Sequence, residues 1–389
     1  MAKNKLSRPR PHLGMPIERE LWAKAAGRCE FRGCNKLLYV DSTTQSKSNL
    51  GKISHIVAFS PEGPRGHPGD SIRLERDISN LMLTCADHGK IIDDKDKEQD
   101  YPTALLREFK REHEQRIRTL TDIREDAKTH VLIVQTCVGG KPIMISERQV
   151  FKAVLPLYPA NEHGFLIDLN DIEAEENEED YWGVVKRVLG DRVKSELKVG
   201  GRGRRPKHLS LFAIGPVPLL IFLGAQLGDI NTVVLHQRHR TSQSWEWSAD
   251  DEPLEIYYDV IEHDNNQEAK EVAVLLSISD CVQMDAVNLI LAGDRAAFYE
   301  IRANEPGVDF LRSAKRLEQF GLEYRKLIRR IRERHGGGCK VHLFAAVPSP
   351  VAIMCGQSLQ PKVDPEIYTY EFNKTTGFTF ALSVNGTNT

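Results

Sequence analysis

The feature that most constrains this chain is an internal repeat. Residues 211–227 read LFAIGPVPLLIFLGAQL and residues 343–359 read LFAAVPSPVAIMCGQSL. At a fixed offset of 132 residues the copies share Pro216 with Pro348, Pro218 with Pro350, Ile221 with Ile353, Gly224 with Gly356 and Leu227 with Leu359. Each copy reads as an apolar strand, a Pro-x-Pro turn and a helix crossed by a glycine. A second apolar strand precedes each, at 131–138 and at 272–279. The period is too long for a solenoid, whose units run to roughly 20–50 residues. It predicts a duplicated α/β unit, a pseudo-dimer within one chain, over about 129–250 and 255–389.

The N-terminal third follows a different plan. A helix is expected from Pro16 to Gly27, then a cysteine-bearing turn, a strand over 51–59, a Gly/Pro loop and a short helix near 86–94. From 102 to 128 a charge-laced helix carries a thin apolar stripe at Leu105, Leu106, Phe109, Ile117 and Leu120, as a connector would. The expected division is 1–100, a linker helix at 101–128, and 129–389. The longest apolar run, 217–225, contains Pro218 and Gly224 and falls far short of the ~20 residues that span a bilayer. The basic N-terminus has no apolar segment of a secretory signal. The expectation is a cytoplasmic protein with no membrane partner, its seven cysteines serving as thiols or metal ligands. The net charge of −2 is unevenly spread: residues 1–90 hold 15 Lys+Arg against 9 Asp+Glu, so the basic end is where a polyanion would be welcome.

Cys29-x4-Cys34 and Cys85-x2-His88 are two closely spaced pairs of zinc-type ligands. A short loop lets two side chains converge on one ion, and four ligands close a tetrahedral structural site with no open position. Such a site would stabilise a domain too small to bury an adequate core.

Between these pairs lie KISHIVAFSPEGPRG and SNLMLTCADHGKIID. Here the sequence resembles the HNH endonucleases, over about Gly27 to Asp93. The resemblance implies a ββα-metal core on a zinc knuckle, with His55 as the base that deprotonates water and Asn80 bracing its loop. It assigns Cys29, Cys34, Cys85 and His88 to zinc, and adds Mg²⁺ to hold the scissile phosphate. Two positions that commonly ligate this second metal are Ser54 and Gly89 here. Asp93, four residues beyond Gly89, is the expected replacement ligand. Arg65 in GPRG is the expected phosphate contact.

The two repeat copies, with the tyrosine-bearing EIYTYEF near the end, resemble the SAVED domain, a fused pair of CARF-like Rossmannoid subdomains. The implied fold class is an α+β zinc-containing ββα-metal (HNH) nuclease domain followed by a duplicated α/β Rossmannoid sensor domain. In such sheets a ligand sits beyond the carboxyl ends of the strands. That places it near Gly139, Gly140, Lys141, Pro216, Ser279 and Pro348, with Tyr370, Trp245 and Trp247 available for stacking. A Walker P-loop is excluded, because Gln135 stands at the first glycine position and Pro142 follows the lysine. HNH followed by SAVED resembles the DNA-cutting effectors of bacterial CBASS antiphage systems. The expected activity is cyclic-nucleotide-activated, metal-dependent cleavage of double-stranded DNA, switched on by a cyclic di- or trinucleotide that drives homo-oligomer formation. The competing expectations are a ligand-regulated, zinc-stabilised DNA-binding protein without cleavage, and an ungated restriction-type nuclease reading modified DNA.

Overall fold

A computed structural model describes residues 9–41, 43–124, 126–172, 180–199, 206–228, 232–247, 257–264, 266, 268–291 and 296–386. Two charged stretches of the sequence, the acidic DLNDIEAEENEED at 168–180 and the basic GGRGRRPKH at 200–208, lie mostly outside the described residues. The chain divides into two units, Met1–Arg124 and Glu125–Thr389. No described helix is long and apolar enough to cross a membrane.

The first unit contains α1 (Met15–Lys24), β1 (Gly51–His55), the one-turn α2 (Asp70–Arg73), β2 (Leu81–Cys85), α3 (Ala86–Asp93) and α4 (Thr103–Thr121). β1 and β2 pair antiparallel, Gly51 opposite Cys85 and His55 opposite Leu81. α3 follows β2 without a loop, giving a ββα unit. β2 is buried along its whole length because its two faces serve two clusters. Leu81 and Leu83 join Leu21, Ala25, Leu38, Cys29 and Cys85. Met82, between them, joins Ile56, Ile92, Leu106 and Phe109. α4 is therefore no connector, which corrects the expected linker at 101–128. Its Leu106, Phe109, Lys110 and His113 are buried in this unit, with His113 Nε2 3.0 Å from the Ala25 carbonyl. The apolar stripe is thin because buried polar partners complete it: Lys110 lies 3.6 Å from the buried Glu30.

The second unit continues with β3 (Lys128–Gln135), α5 (Glu147–Ala153), β4 (Tyr158–Pro159), β5 (Phe165–Asp168), α6 (Tyr181–Val199), β6 (Leu209–Ile214), α7 (Val217–Leu227) and β7 (Val233–His236). Then come β8 (Tyr258–Asp264), β9 (Glu271–Ser277), α8 (Met284–Ile290), β10 (Ala297–Ala303), α9 (Ala314–His335), β11 (Lys340–Ala346), α10 (Ser349–Gln357), β12 (Glu366–Asn373) and β13 (Gly377–Val384). One sheet orders its strands β5-β3-β6-β7, with β4 also on β3, all parallel. The other runs β13-β12-β11-β9-β10-β8. Its inner four, β10-β9-β11-β12, are parallel and repeat the first sheet's order, while β8 and β13 are antiparallel edges. Near-continuous apolar strands such as VLIV in β3 suit sheets covered on both faces.

The repeat meets itself at α7 and α10, and the contact is reciprocal. A Cβ on Gly224 would lie 2.0 Å from the Ile353 carbonyl oxygen, and one on Gly356 would lie 1.8 Å from that of Ile221. These are the same pair of repeat positions taken from opposite sides. α7 is apolar on nearly every face because eight of its eleven residues are buried. A second equivalence appears at an offset of 131: Gly190 of α6 faces Phe222, and Gly321 of α9 faces Met354.

Candidate functional site

In the first unit, β1 delivers His55 at its last residue and β2 delivers Cys85 at its last. The ligand atoms of Cys29, Cys34, Cys85 and His88 all lie within 4.8 Å of one another. His88 Nδ1 is 3.1 Å from Cys85 Sγ and 3.7 Å from Cys29 Sγ. A tetrahedral zinc with bonds of 2.0–2.3 Å needs ligand separations of roughly 3.5–3.8 Å, so the four donors fit one ion. Phe31 stacks on the His88 ring at 4.1 Å and fixes its plane. Burial pushes the Cys29 thiol well above its ordinary range, so a cation is needed to draw off its proton.

His55 is buried, its Nε2 3.0 Å from the Glu75 carbonyl and its ring edge-on to Phe59 at 5.3 Å. With Nε2–H donating to Glu75, the free lone pair belongs to Nδ1. Desolvation lowers the imidazole pKa, which favours this neutral form. Asn80 is wholly buried and ties two segments together. Its Oδ1 accepts from Val57 N at 2.8 Å, and its Nδ2 donates to the carbonyls of Val57 at 2.9 Å and Leu74 at 3.2 Å. It thus holds the chain just beyond His55 against the segment that supplies Glu75. Sequence reasoning missed the Glu75 and Leu74 carbonyls, since a main-chain acceptor leaves no mark in side-chain identity.

Arg65 is a correction. It is buried in a left-handed conformation, φ 53°, and donates to the carbonyls of Ile56 and Ile92 at 2.6 Å each. A guanidinium spent on main-chain oxygens is unavailable to a phosphate. The positions expected to hold a second metal provide no acidic or imidazole ligand: Ser54 Oγ lies 3.0 Å from Thr84 Oγ1, and Gly89 packs over both. Asp93 is exposed at the end of α3, close enough to His55 to influence its charge. Among the described residues, Cys29, Cys34, Cys85 and His88 form the one group of three or more clustered candidate ligands. The residues at Ser54 and Gly89 do not fit a preformed Mg²⁺ site.

In the second unit, the two strand-end regions repeat one hydrogen bond. Thr136 N donates to the Ile214 carbonyl at 3.3 Å, and Ile278 N donates to the Ala346 carbonyl at 3.1 Å. Ser279, half-buried beside this second junction, also donates its N–H to Ala346, at 2.7 Å. Gly139 and Gly140 form an exposed tight turn with φ of 57° and 71°, closed by the bridge from Val138 to Lys141. Lys141 is exposed on it. Pro216 and Pro348 are buried N-caps of α7 and α10; they start helices and present no open wall. Tyr370 is also corrected. It is buried, its ring stacked on Phe344 at 4.5 Å and its hydroxyl 2.7 Å from His342 Nδ1. Trp245 is buried against Phe212, and Trp247 is partly buried, packed on the main core. No residue pattern signals buried Glu300, whose Oε1 accepts from Ser277 at 2.6 Å and from Arg302 at 2.9 Å.

Two sheets whose parallel strands share one order, joined through crossed and glycine-notched helices, define a tandem Rossmann-like α/β protein. The chain belongs to the SAVED family, the SMODS-associated and fused to various effectors sensor domain, whose model matches residues 189–384. No curated protein matches the chain. Among solved structures it is similar to the Acinetobacter baumannii Cap4 SAVED/CARF-domain containing receptor with the cyclic trinucleotide 3'3'3'-cAAA. The identity there is 13% and the TM-score 0.44, over 81% of this chain and 66% of that one. The same receptor with 2'3'3'-cAAA matches at 14% identity and a TM-score of 0.45, with the same coverage. The Moraxella osloensis Cap4 receptor matches at 13% and 0.38, over 81% of this chain and 65% of that one. The chain thus spans just under two thirds of the length of these receptors.

Proposed function

We propose that this chain is a cyclic-oligonucleotide-gated DNA endonuclease of the antiphage type, with the sensor in Glu125–Thr389 and the cutting unit in Met1–Arg124. The observation that carries the nuclease reading is His55: a buried neutral imidazole at the end of β1, Nε2 committed to Glu75, Nδ1 left to accept a proton from water. Asn80 holds that geometry, and the Cys29, Cys34, Cys85 and His88 site would fasten the unit around zinc. The sensor reading rests on membership of the SAVED family and on the duplicated strand order. Ligand binding would then raise assembly and cleavage together, because two strands need two active sites.

The absence of a carboxylate at Ser54 and Gly89 favours one second reading, a ligand-regulated, zinc-stabilised DNA-binding unit that does not cut. Family membership argues against an ungated restriction enzyme. The test is plasmid incubated with purified protein, Mg²⁺ and a panel of cyclic di- and trinucleotides, including the two cyclic triadenylates named above. Cutting by wild type with one ligand, and none by His55→Ala, is the expected result. DNA binding without cutting under every ligand and divalent metal would establish the second reading instead.

A further inference from the structure

In the first unit a groove of about 640 Å³ runs between α4, the end of α1 and the 73–79 segment. Its lining holds six basic side chains against two acidic ones, so the question is which cations are already committed. Lys110 lies 2.5 Å from Glu114, Lys24 2.7 Å from Glu20 and Arg73 2.7 Å from Asp70. Arg111 and Arg118 are exposed on α4 and have no ion-pair partner among the described residues. Arg107, also exposed, has only longer-range attraction to Asp70 and Asp77. The acids that could neutralise α4, Glu108 and Glu112, are bound to Arg32, at 3.1 and 2.9 Å.

Positions 107, 111 and 118 share one helix face, spaced i, i+4 and i+11, and span about 16 Å at 1.5 Å per residue. At ~3.4 Å per nucleotide along one strand, this equals about five nucleotides. The opposite wall is the segment that also builds the site: Leu74 lines the groove while its carbonyl takes Asn80, and the next carbonyl, Glu75, takes His55.

We infer that this groove seats the phosphate backbone of nucleic acid, with Arg107, Arg111 and Arg118 as its phosphate contacts. The inference rests on the DNA-directed reading of the first unit and shifts the phosphate-binding role from Arg65 to α4. The test uses full-length His55→Ala protein and a fluorescein-labelled 30-base-pair duplex, followed by anisotropy from 50 to 200 mM KCl, with and without the cyclic nucleotide panel. Adding Arg107→Gln, Arg111→Gln and Arg118→Gln should weaken binding about 10- to 100-fold. Each lost contact should also shallow the slope of log K against log salt by about 0.9. Three Arg→Lys changes should keep the slope, since the charge remains. Zinc content and melting temperature should match the parent, which separates lost binding from lost folding. Unchanged affinity and slope, or a parent that binds no duplex under any condition, would overturn the groove. Wild type that still cuts with this groove refuted leaves the nuclease intact; groove-dependent binding without cutting leaves the groove intact and refutes the nuclease.

Discussion

Gly356→Ala sets two physical effects of opposite sign against each other. Alanine favours a helix interior over glycine by about 1 kcal/mol, so propensity alone predicts stabilisation. The structure predicts the reverse. The new Cβ would stand 1.8 Å from the Ile221 carbonyl oxygen and 2.8 Å from Ala225 N, both main-chain atoms that no rotamer change can move. The helices must part by about 1.2 Å to restore a tolerable ~3.0 Å contact, and a gap of 0.5–1 Å already forfeits a quarter to a half of the dispersion attraction. Leu220, Ile221, Ala352 and Ile353 belong to one buried cluster around this crossing. At ~2 kcal/mol per buried aliphatic side chain, that gap loses about 2–4 kcal/mol. Backbone distortion adds about 1–3 kcal/mol. After the helix-propensity gain, the net is about 2–6 kcal/mol of destabilisation, or a melting temperature lower by ~4–24 °C for a unit this size. Differential scanning calorimetry of the full chain measures it. Gly224→Ala should cost about the same, and the double variant should cost far less than the sum, because parting the helices once relieves both contacts. Gly183→Ala, with open space around its Cβ, is the control and should be neutral or mildly stabilising. A Gly356→Ala protein melting at or above wild type, or strictly additive losses in the double variant, would refute the reciprocal crossing.

Four further outcomes are expected. His55→Ala should reduce DNA cleavage ~10²–10⁴-fold while leaving cyclic-nucleotide affinity unchanged by calorimetry; activity within a few-fold of wild type would remove His55 from the chemistry. Elemental analysis should find about one zinc per chain, and Cys29→Ser or Cys85→Ser should lose it together with the far-ultraviolet signature of the first unit. Arg65→Met should destabilise the first unit by about 3 kcal/mol or more by orphaning buried carbonyls, whereas a phosphate-contacting arginine would leave stability unchanged and weaken DNA binding alone. Burial against Phe212 pushes the His236 pKa down to about 4. The unfolded chain therefore protonates first as pH falls below ~6.5, and this contribution to stability is lost down to ~4, by about 3 kcal/mol. His236→Asn should flatten the pH dependence of the melting temperature by that amount.

What could be read from sequence was whatever depends on a rare residue type at a fixed spacing. The glycines and prolines of the repeat, the paired cysteines and the turn after His55 each have few structural uses. The rest depended on partners distant in the chain. Arg65 in GPRG reads as an exposed loop residue, because its acceptors at Ile56 and Ile92 are main-chain atoms 9 and 27 residues away. α4 reads as a connector because half of its buried face is polar, Lys110 and His113, and such a face lowers the apparent amphipathicity. Tyr370 reads as a stacking platform, since alternation along β12 cannot say that its hydroxyl meets His342 on the neighbouring strand. The Gly190 and Gly321 equivalence was hidden by insertions that shift its offset to 131 from 132.

Joining the two copies in one polypeptide frees them from a rule that binds any pair of identical subunits. A homodimer must show the same side chain on both sides of its axis, so a substitution that helps one side is imposed on the other. Here the crossing helices keep their matching glycines, while elsewhere the halves have drifted apart. Lys186 on α6, its Nζ 2.7 Å from the Ser383 carbonyl, stands where α9 carries the buried Leu317. Among the described residues, only the second sheet has antiparallel margins. Lineages descending from such a fusion can specialise each half separately, and can come to discriminate ligands whose own two halves differ, provided the notch at 224 and 356 survives in both.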